Sequence, residues 1–217
     1  MKIKTFQIRR LRFLAPLMLS LACAAAWFFS PALRLAIRGT SSTAVETQLV
    51  SAHRYDSDWF DAARIGRIDI LGALLDAGYP MDATTSAGYT ATILAAYDDQ
   101  PKALDFLLGR GADPCVGDRN GNTALMGALY KGHTAVAHRL LTTRCPIDQT
   151  NNAGETALSF AVLFGRLDFV PLLIQRGADP THRDRQGDTA FGVARRQGND
   201  EAIHALRQAT DANDPDA

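Results

Sequence analysis

The sequence predicts an all-α repeat solenoid of about five 33-residue copies, preceded by one amino-terminal transmembrane helix. Three observations carry that reading. Gly88, Gly121, Gly154 and Gly187 recur every 33 residues. Each is followed two places later by a threonine (Thr90, Thr123, Thr156, Thr189) and then by an alanine, and Leu107, Leu140, Leu173 and Leu206 share a further column. Finally, the 21 residues from Phe13 to Leu33 carry no charge. A fixed period of this size marks units that cannot bury an apolar face alone and so stack on their neighbours.

The chain opens on a basic tail, residues 1–12, with Lys2, Lys4, Arg9, Arg10 and Arg12. A helix over residues 13–33 spans roughly 31 Å at 1.5 Å per residue, matching a hydrocarbon core of about 30 Å. The competing reading is a cleaved signal peptide, with Ala24-Ala25-Ala26 as the small-residue cleavage site. Cleavage there leaves Trp27-Phe28-Phe29 at the new terminus, and such aromatics suit the headgroup boundary of an anchor better. Five Lys/Arg precede the span and two follow it, which places the amino terminus in the cytoplasm and the repeats outside it. The expectation is therefore a single-pass inner-membrane protein with a periplasmic carboxyl-terminal domain, or a periplasmic protein if the segment is cleaved. Residues 34–54 are small and polar for the most part and read as a linker, with a short helix open to Val45–Ala52.

At 217 residues and 47% hydrophobic content, one domain with a sizeable core is expected beyond that segment. The formal net charge of zero hides an asymmetry. Residues 1–38 hold seven basic side chains and no acidic one, leaving 16 basic against 23 acidic in the remainder. An acidic body argues against nucleic acid as a partner. Three cysteines are too few for a disulfide-built fold.

The repeat domain is expected over residues 55–208. Each threonine is placed to cap a first helix, its hydroxyl accepting an orphan backbone N–H. Second helices follow with apolar residues at helical spacing: Leu104, Leu107 and Leu108; Val136, Leu140 and Leu141; Phe169, Val170, Leu173 and Ile174. Pro101 suits a helix start, whereas Pro171 falls inside an apolar pattern and is expected to bend the helix or open a bond. Asp99 stands where the other copies have glycine. The first copy, Asp58 to Gly78, lacks the threonine motif. In the last, Arg207 replaces the apolar column of Leu75, Leu108, Leu141 and Ile174, as the end of a stack requires. Residues 209–217 read as a disordered acidic tail.

The copies Gly-Tyr-Thr-Ala-Thr-Ile-Leu-Ala-Ala (88–96) and Gly-Asn-Thr-Ala-Leu-Met-Gly-Ala (121–128), with Gly-Ala-Asp-Pro at 111–114 and 177–180, resemble the ankyrin repeat family. The layout is similar to membrane-anchored or periplasmic members in bacteria. Two departures stand out. The family's proline is alanine in all four copies (Ala91, Ala124, Ala157, Ala190), and its histidine is Ile93, Met126, Ser159 and Gly192. The resemblance implies helix hairpins with projecting loops that bind a protein partner through loop tips and the exposed face of the first helices. It leaves room for an inhibitory, immunity or stress-defence role, and the alternative is a structural assembly factor.

No catalytic set can be placed. The five histidines are scattered, and His133 and His138 are not spaced as a metal pair on one helix face. No metal, cofactor, small-molecule substrate or enzyme activity is expected. Cys115 and Cys145 fall in neighbouring loops, three positions out of register. Packed elements lie about 8–10 Å apart while a disulfide needs Cα atoms within roughly 7 Å, so two free thiols are expected. The bonded alternative stays open for an oxidising compartment.

Partner contacts are sought in the columns that differ between repeats. After the glycines stand Tyr89, Asn122, Glu155 and Asp188; the tips carry Ser86, Arg119, Asn152 and Arg185. One helix column runs Arg64, Tyr97, Tyr130, Leu163, Arg196, and its neighbour Ile65, Asp98, Lys131, Phe164, Gln197. The expected binding set is Tyr89, Tyr97, Asp98, Arg119, Asn122, Tyr130, Lys131, Asn152, Glu155, Phe164 and Arg185. Tyrosine suits such a role because it joins apolar area to a polar tip. The competing reading for Leu163 and Phe164 is packing between repeats.

Overall fold

The threonine columns do what their hydroxyls suit them to do. In the computed structural model, which describes residues 53–213, all four hold an extended backbone. Each hydroxyl accepts the N–H three residues on, from Ile93, Met126, Ser159 and Gly192, at 3.1–3.4 Å. In the fourth copy Ser159 answers from its side chain, receiving the Thr156 N–H at 2.8 Å and completing a reciprocal cap.

Ten helices follow from these starts among the described residues, after a 3-10 turn at His53–Tyr55. The first helices of the repeats are α1 (Asp56–Ile65), α3 (Ala91–Tyr97), α5 (Ala124–Lys131), α7 (Ala157–Leu163) and α9 (Ala190–Gln197). The second helices are α2 (Ile68–Asp76), α4 (Pro101–Gly109), α6 (Thr134–Leu141), α8 (Phe169–Gln175) and α10 (Asp200–Asp211). Most have two to three turns, too short to persist alone in water. Packing supplies what propensity cannot. First helices stand side by side in one row, each also touching its own second helix. Between the rows lie Leu71, Leu104, Leu107, Val136, Leu140, Val170, Leu173 and Leu206, all buried. Ile93 and Met126, standing where the resembled family has histidine, are buried too and enlarge this core.

Between helix hairpins the chain makes a five-residue turn, closed by backbone bonds such as Asp118 N–H to Asn122 C=O at 2.9 Å and Asn151 N–H to Glu155 C=O at 3.0 Å. Successive turns are bonded to one another: Arg119 N–H to Ala87 C=O, Asn152 to Asn120, and Arg185 to Ala153, at 2.7–3.0 Å. The glycine column is explained here. A Cβ on Gly88 would lie 2.5 Å from the Arg119 nitrogen, and at Gly121 or Gly154 it would meet the next turn's backbone at about 3 Å. Gly187 has no following turn and meets nothing.

Four expectations are corrected. Pro171 does not bend a helix. It sits in the first turn of α8, which begins at Phe169, two places later than register predicts, where a missing donor costs little. The expected open bond shows as a tightened one: Val170 N–H reaches Leu167 C=O at 3.1 Å, whereas its column mate Leu71 reaches back four residues to Arg67. The carboxyl-terminal tail begins later than residue 209, because α10 continues to Asp211 with Ala209 buried against the core. The linker ends earlier, since the turn at His53–Tyr55 belongs to the array. Finally, Cys115 and Cys145 are bonded, their Cα atoms 5.3 Å apart. Cys145 occupies the column of the buried Ala112 and Ala178, and its offset carries it toward the preceding loop. The three-residue offset shortens the gap between repeats and brings the pair within disulfide range.

The amino-terminal tail, the apolar span 13–33 and nearly all of the linker lie outside the described residues. Among the described residues no helix is long and apolar enough to cross a membrane.

Candidate partner-binding groove

The row of first helices and the turns beside it enclose a groove of about 610 Å³. One wall is aromatic. Tyr97 and Tyr130, one repeat apart in the same column, stack with ring centroids 6.0 Å apart and planes 20° from parallel. Tyr130 meets the edge of Phe164 at 4.8 Å, and Phe164 meets Phe160 at 5.5 Å. Tyr130 is 44% exposed, although the core has no need of a tyrosine there. The Lys131 ammonium lies 4.5 Å from the Tyr97 ring centroid, a cation resting on an aromatic face. Burial, and then the nearby Tyr130 and Tyr89 phenols, raise the Tyr97 phenol above its ordinary value, so it stays neutral at physiological pH.

The opposite wall is polar and comes from the turns. Asp118 is spent on its own turn, one oxygen accepting the Asn120 and Asn122 N–H groups, both at 2.8 Å. Asn151, buried, gives its amide to Asn122 Oδ1 at 2.9 Å and to Glu155 Oε2 at 2.8 Å, linking two repeats. Glu155 therefore points where Asn151 holds it. The floor is a gap: the column Leu94, Gly127, Phe160, Val193 loses its side chain at Gly127, which lines the groove.

Of the eleven residues expected to bind, Tyr89, Tyr97, Asn122, Tyr130, Asn152, Glu155 and Phe164 line this groove together. Lys131 borders it over Tyr97. Asp98 is drawn aside to Arg64, 3.7 Å away, and Asn152 gives its amide to the Arg119 carbonyl at 2.9 Å. Arg119 and Arg185 are exposed on the turns and are not part of the groove wall. Phe164 serves both readings, half-buried against Phe160 and facing the groove. Sequence reasoning missed Gly127, Asn151 and Phe160. A column comparison would have shown the gap at Gly127, but not that it opens outward.

Backbone carbonyls behind the aromatic wall are held by the next repeat. Arg166 donates to the carbonyls of Leu129 (2.9 Å) and Tyr130 (3.2 Å), and Gln197 to that of Leu163 (2.9 Å). Among the described residues no cluster of metal-ligating side chains occurs.

Capped helix pairs stacked at a fixed period, joined by bonded turns and presenting an open groove, define a helical repeat scaffold of the kind that binds proteins. The profile described as ankyrin repeats (3 copies) matches residues 59–151, 93–184 and 139–216, and the chain belongs to the ankyrin repeat family. It is 32% identical over 144 residues to an ankyrin repeat-containing protein of Treponema pallidum, covering 65% of this chain and 48% of that protein. It is 26% identical over 196 residues to the ankyrin repeat protein YahD of Escherichia coli, covering 72% of this chain and 98% of that one. To the human NF-kappa-B inhibitor alpha it is 38% identical over 93 residues, 40% of this chain and 29% of the inhibitor. The chain thus spans about half of the first relative, under a third of the last and nearly all of YahD.

Proposed function

We propose that this chain is a membrane-anchored, non-enzymatic ankyrin module that captures a protein partner on the extracytoplasmic side through the groove between α3, α5 and α7. The observation that carries this is the aromatic wall of Tyr97, Tyr130 and Phe164, facing outward in columns where the array also accepts arginine (Arg64, Arg196) and the polar Asp98, Lys131 and Gln197. Aromatic residues concentrate at the centres of protein interfaces. The human relative's name makes it an inhibitor of another protein, which fits a scaffold acting by capture. An extracytoplasmic location is supported by the Cys115–Cys145 bond, since disulfides persist in oxidising compartments, and by the basic asymmetry around residues 13–33.

The binding test is Tyr97→Ala with Tyr130→Ala, followed by partner capture from the envelope fraction and a thermal melt. Losing the stacking of the two partly exposed rings should cost about 0.5–1.5 kcal/mol beyond the modest area they cover. Truncating a buried aromatic costs about 3–5 kcal/mol instead. Loss of a specific captured protein with a nearly unchanged melt is expected; a collapse of the melt places the rings in the core. The topology test is a reporter active only outside the cytoplasm, fused after Ala217. It should be active in a full-length, membrane-bound product. An inactive fusion reverses the orientation, and a shortened soluble product replaces the anchor with a signal peptide.

A further inference from the structure

The column that follows each turn glycine and the inner helix column eight residues later face one another. In the last repeat they hold Asp188 and Arg196, which form an ion pair. One repeat earlier the same two positions are Glu155 and Leu163. The carboxylate is kept and its cation is gone. Among the described residues Glu155 has no ion-pair partner; one of its oxygens accepts the Asn151 amide and the other accepts nothing. At the far end of the column Arg64 is also matched with a carboxylate, Asp98. That contact crosses to a different column, since the turn position of the first repeat is Asp56; both end repeats nonetheless hold a carboxylate and an arginine in these two columns, and the fourth repeat, at the groove, holds the carboxylate without the arginine.

Resting on the reading of this groove as the partner's seat, we propose that it takes an arginine side chain from an extended segment of the partner. The guanidinium pairs with Glu155, and its stem lies along Phe160 and Tyr130 above the gap at Gly127. Three features favour that occupant. The Asp188–Arg196 pair shows that a guanidinium placed on the second column reaches the carboxylate of the first. Lys131 on Tyr97 shows that the aromatic wall accepts a cation. The acidic balance of residues 39–217, 16 basic against 23 acidic side chains, draws a basic segment toward this surface. Arginine matches better than lysine, because its planar fork both pairs with a carboxylate and stacks on rings.

The test immobilises the full-length chain by its carboxyl terminus and probes it with peptide pools fixed at the central position as arginine, citrulline, lysine or norleucine. The arginine pool should be retained at least about tenfold more than the citrulline pool, a difference of 1.4 kcal/mol. Glu155→Gln keeps an acceptor for Asn151 and should erase that preference without moving the melt. Leu163→Arg should erase it too, by supplying from within the cation that Arg196 supplies to Asp188. Retention of the citrulline or norleucine pool equal to arginine overturns the inference while the groove reading stands. Equal retention of lysine overturns the commitment to a guanidinium. If no pool is retained and the Tyr97→Ala, Tyr130→Ala variant still captures its partner, the groove itself is misassigned.

Discussion

The imidazole Nε2 of His133, at the start of α6, lies 3.1 Å from the carbonyl oxygen of Tyr97, the last residue of α3 in the preceding repeat. Its other nitrogen is 3.8 Å from Asp99. A helix ends in carbonyls without intrahelical partners, and here the neighbouring repeat supplies the donor. The histidine thereby holds the backbone that carries one of the two stacked tyrosines.

His133→Ala should therefore cost about 1–2 kcal/mol, the penalty for leaving a partly buried acceptor unmatched. His133→Gln, the residue its column mate Gln100 already is, should recover most of that. Chemical denaturation of the three proteins decides the point. Equal stability of all three would mean that water serves the carbonyl as well.

Gly127 tests the groove without replacing any of its wall residues. A Cβ there would lie 3.5 Å from Tyr97 Cδ2, an ordinary contact. Gly127→Ala should leave the fold intact and raise stability by about 1 kcal/mol, since glycine disfavours a helix interior. Gly127→Leu, which copies the column mate Leu94, should fill the floor and abolish partner capture while the protein still melts cooperatively. Capture undiminished by leucine would place the partner elsewhere on the array.

The Cys115–Cys145 bond closes a 30-residue separation. Replacing both by serine should lower stability by about 3 kcal/mol. Unfolded, non-reduced protein should not react with a thiol probe at either position until a reductant is added. Labelling of both before reduction would restore the two free thiols that loop spacing suggests.

Asp99 holds φ at +54°, the one non-glycine residue at positive φ among those described, in a column where Gly66, Gly132, Gly165 and Gly198 take the same left-handed turn. A side chain there meets the following carbonyl at a cost of about 1–2 kcal/mol, less for aspartate than for most residues. Asp99→Gly removes that strain and gives up only an exposed contact with His133, worth little. The melting temperature should rise by an amount equivalent to about 1 kcal/mol. A fall would show that the His133 contact outweighs the strain.

What the sequence by itself determined was everything local or strictly periodic. A threonine hydroxyl reaches three residues along its own chain, so Thr90, Thr123, Thr156 and Thr189 announced four helix starts. Residues 33 apart occupy equivalent places, so Tyr97 and Tyr130 had to be neighbours, and Arg207 had to face solvent at the end of the stack. Tertiary structure decided whatever depends on the distance between one repeat and the next. Packing between repeats settles that the offset of Cys145 brings it within reach of Cys115, and it seats the Asn152 amide on the Arg119 carbonyl. It also decides that the side chain missing at Gly127 leaves an open groove and not a collapsed core. Column identity follows from counting along the chain, whereas distance between columns is set by the packing of every buried side chain between the repeats, a sum that no single segment contains.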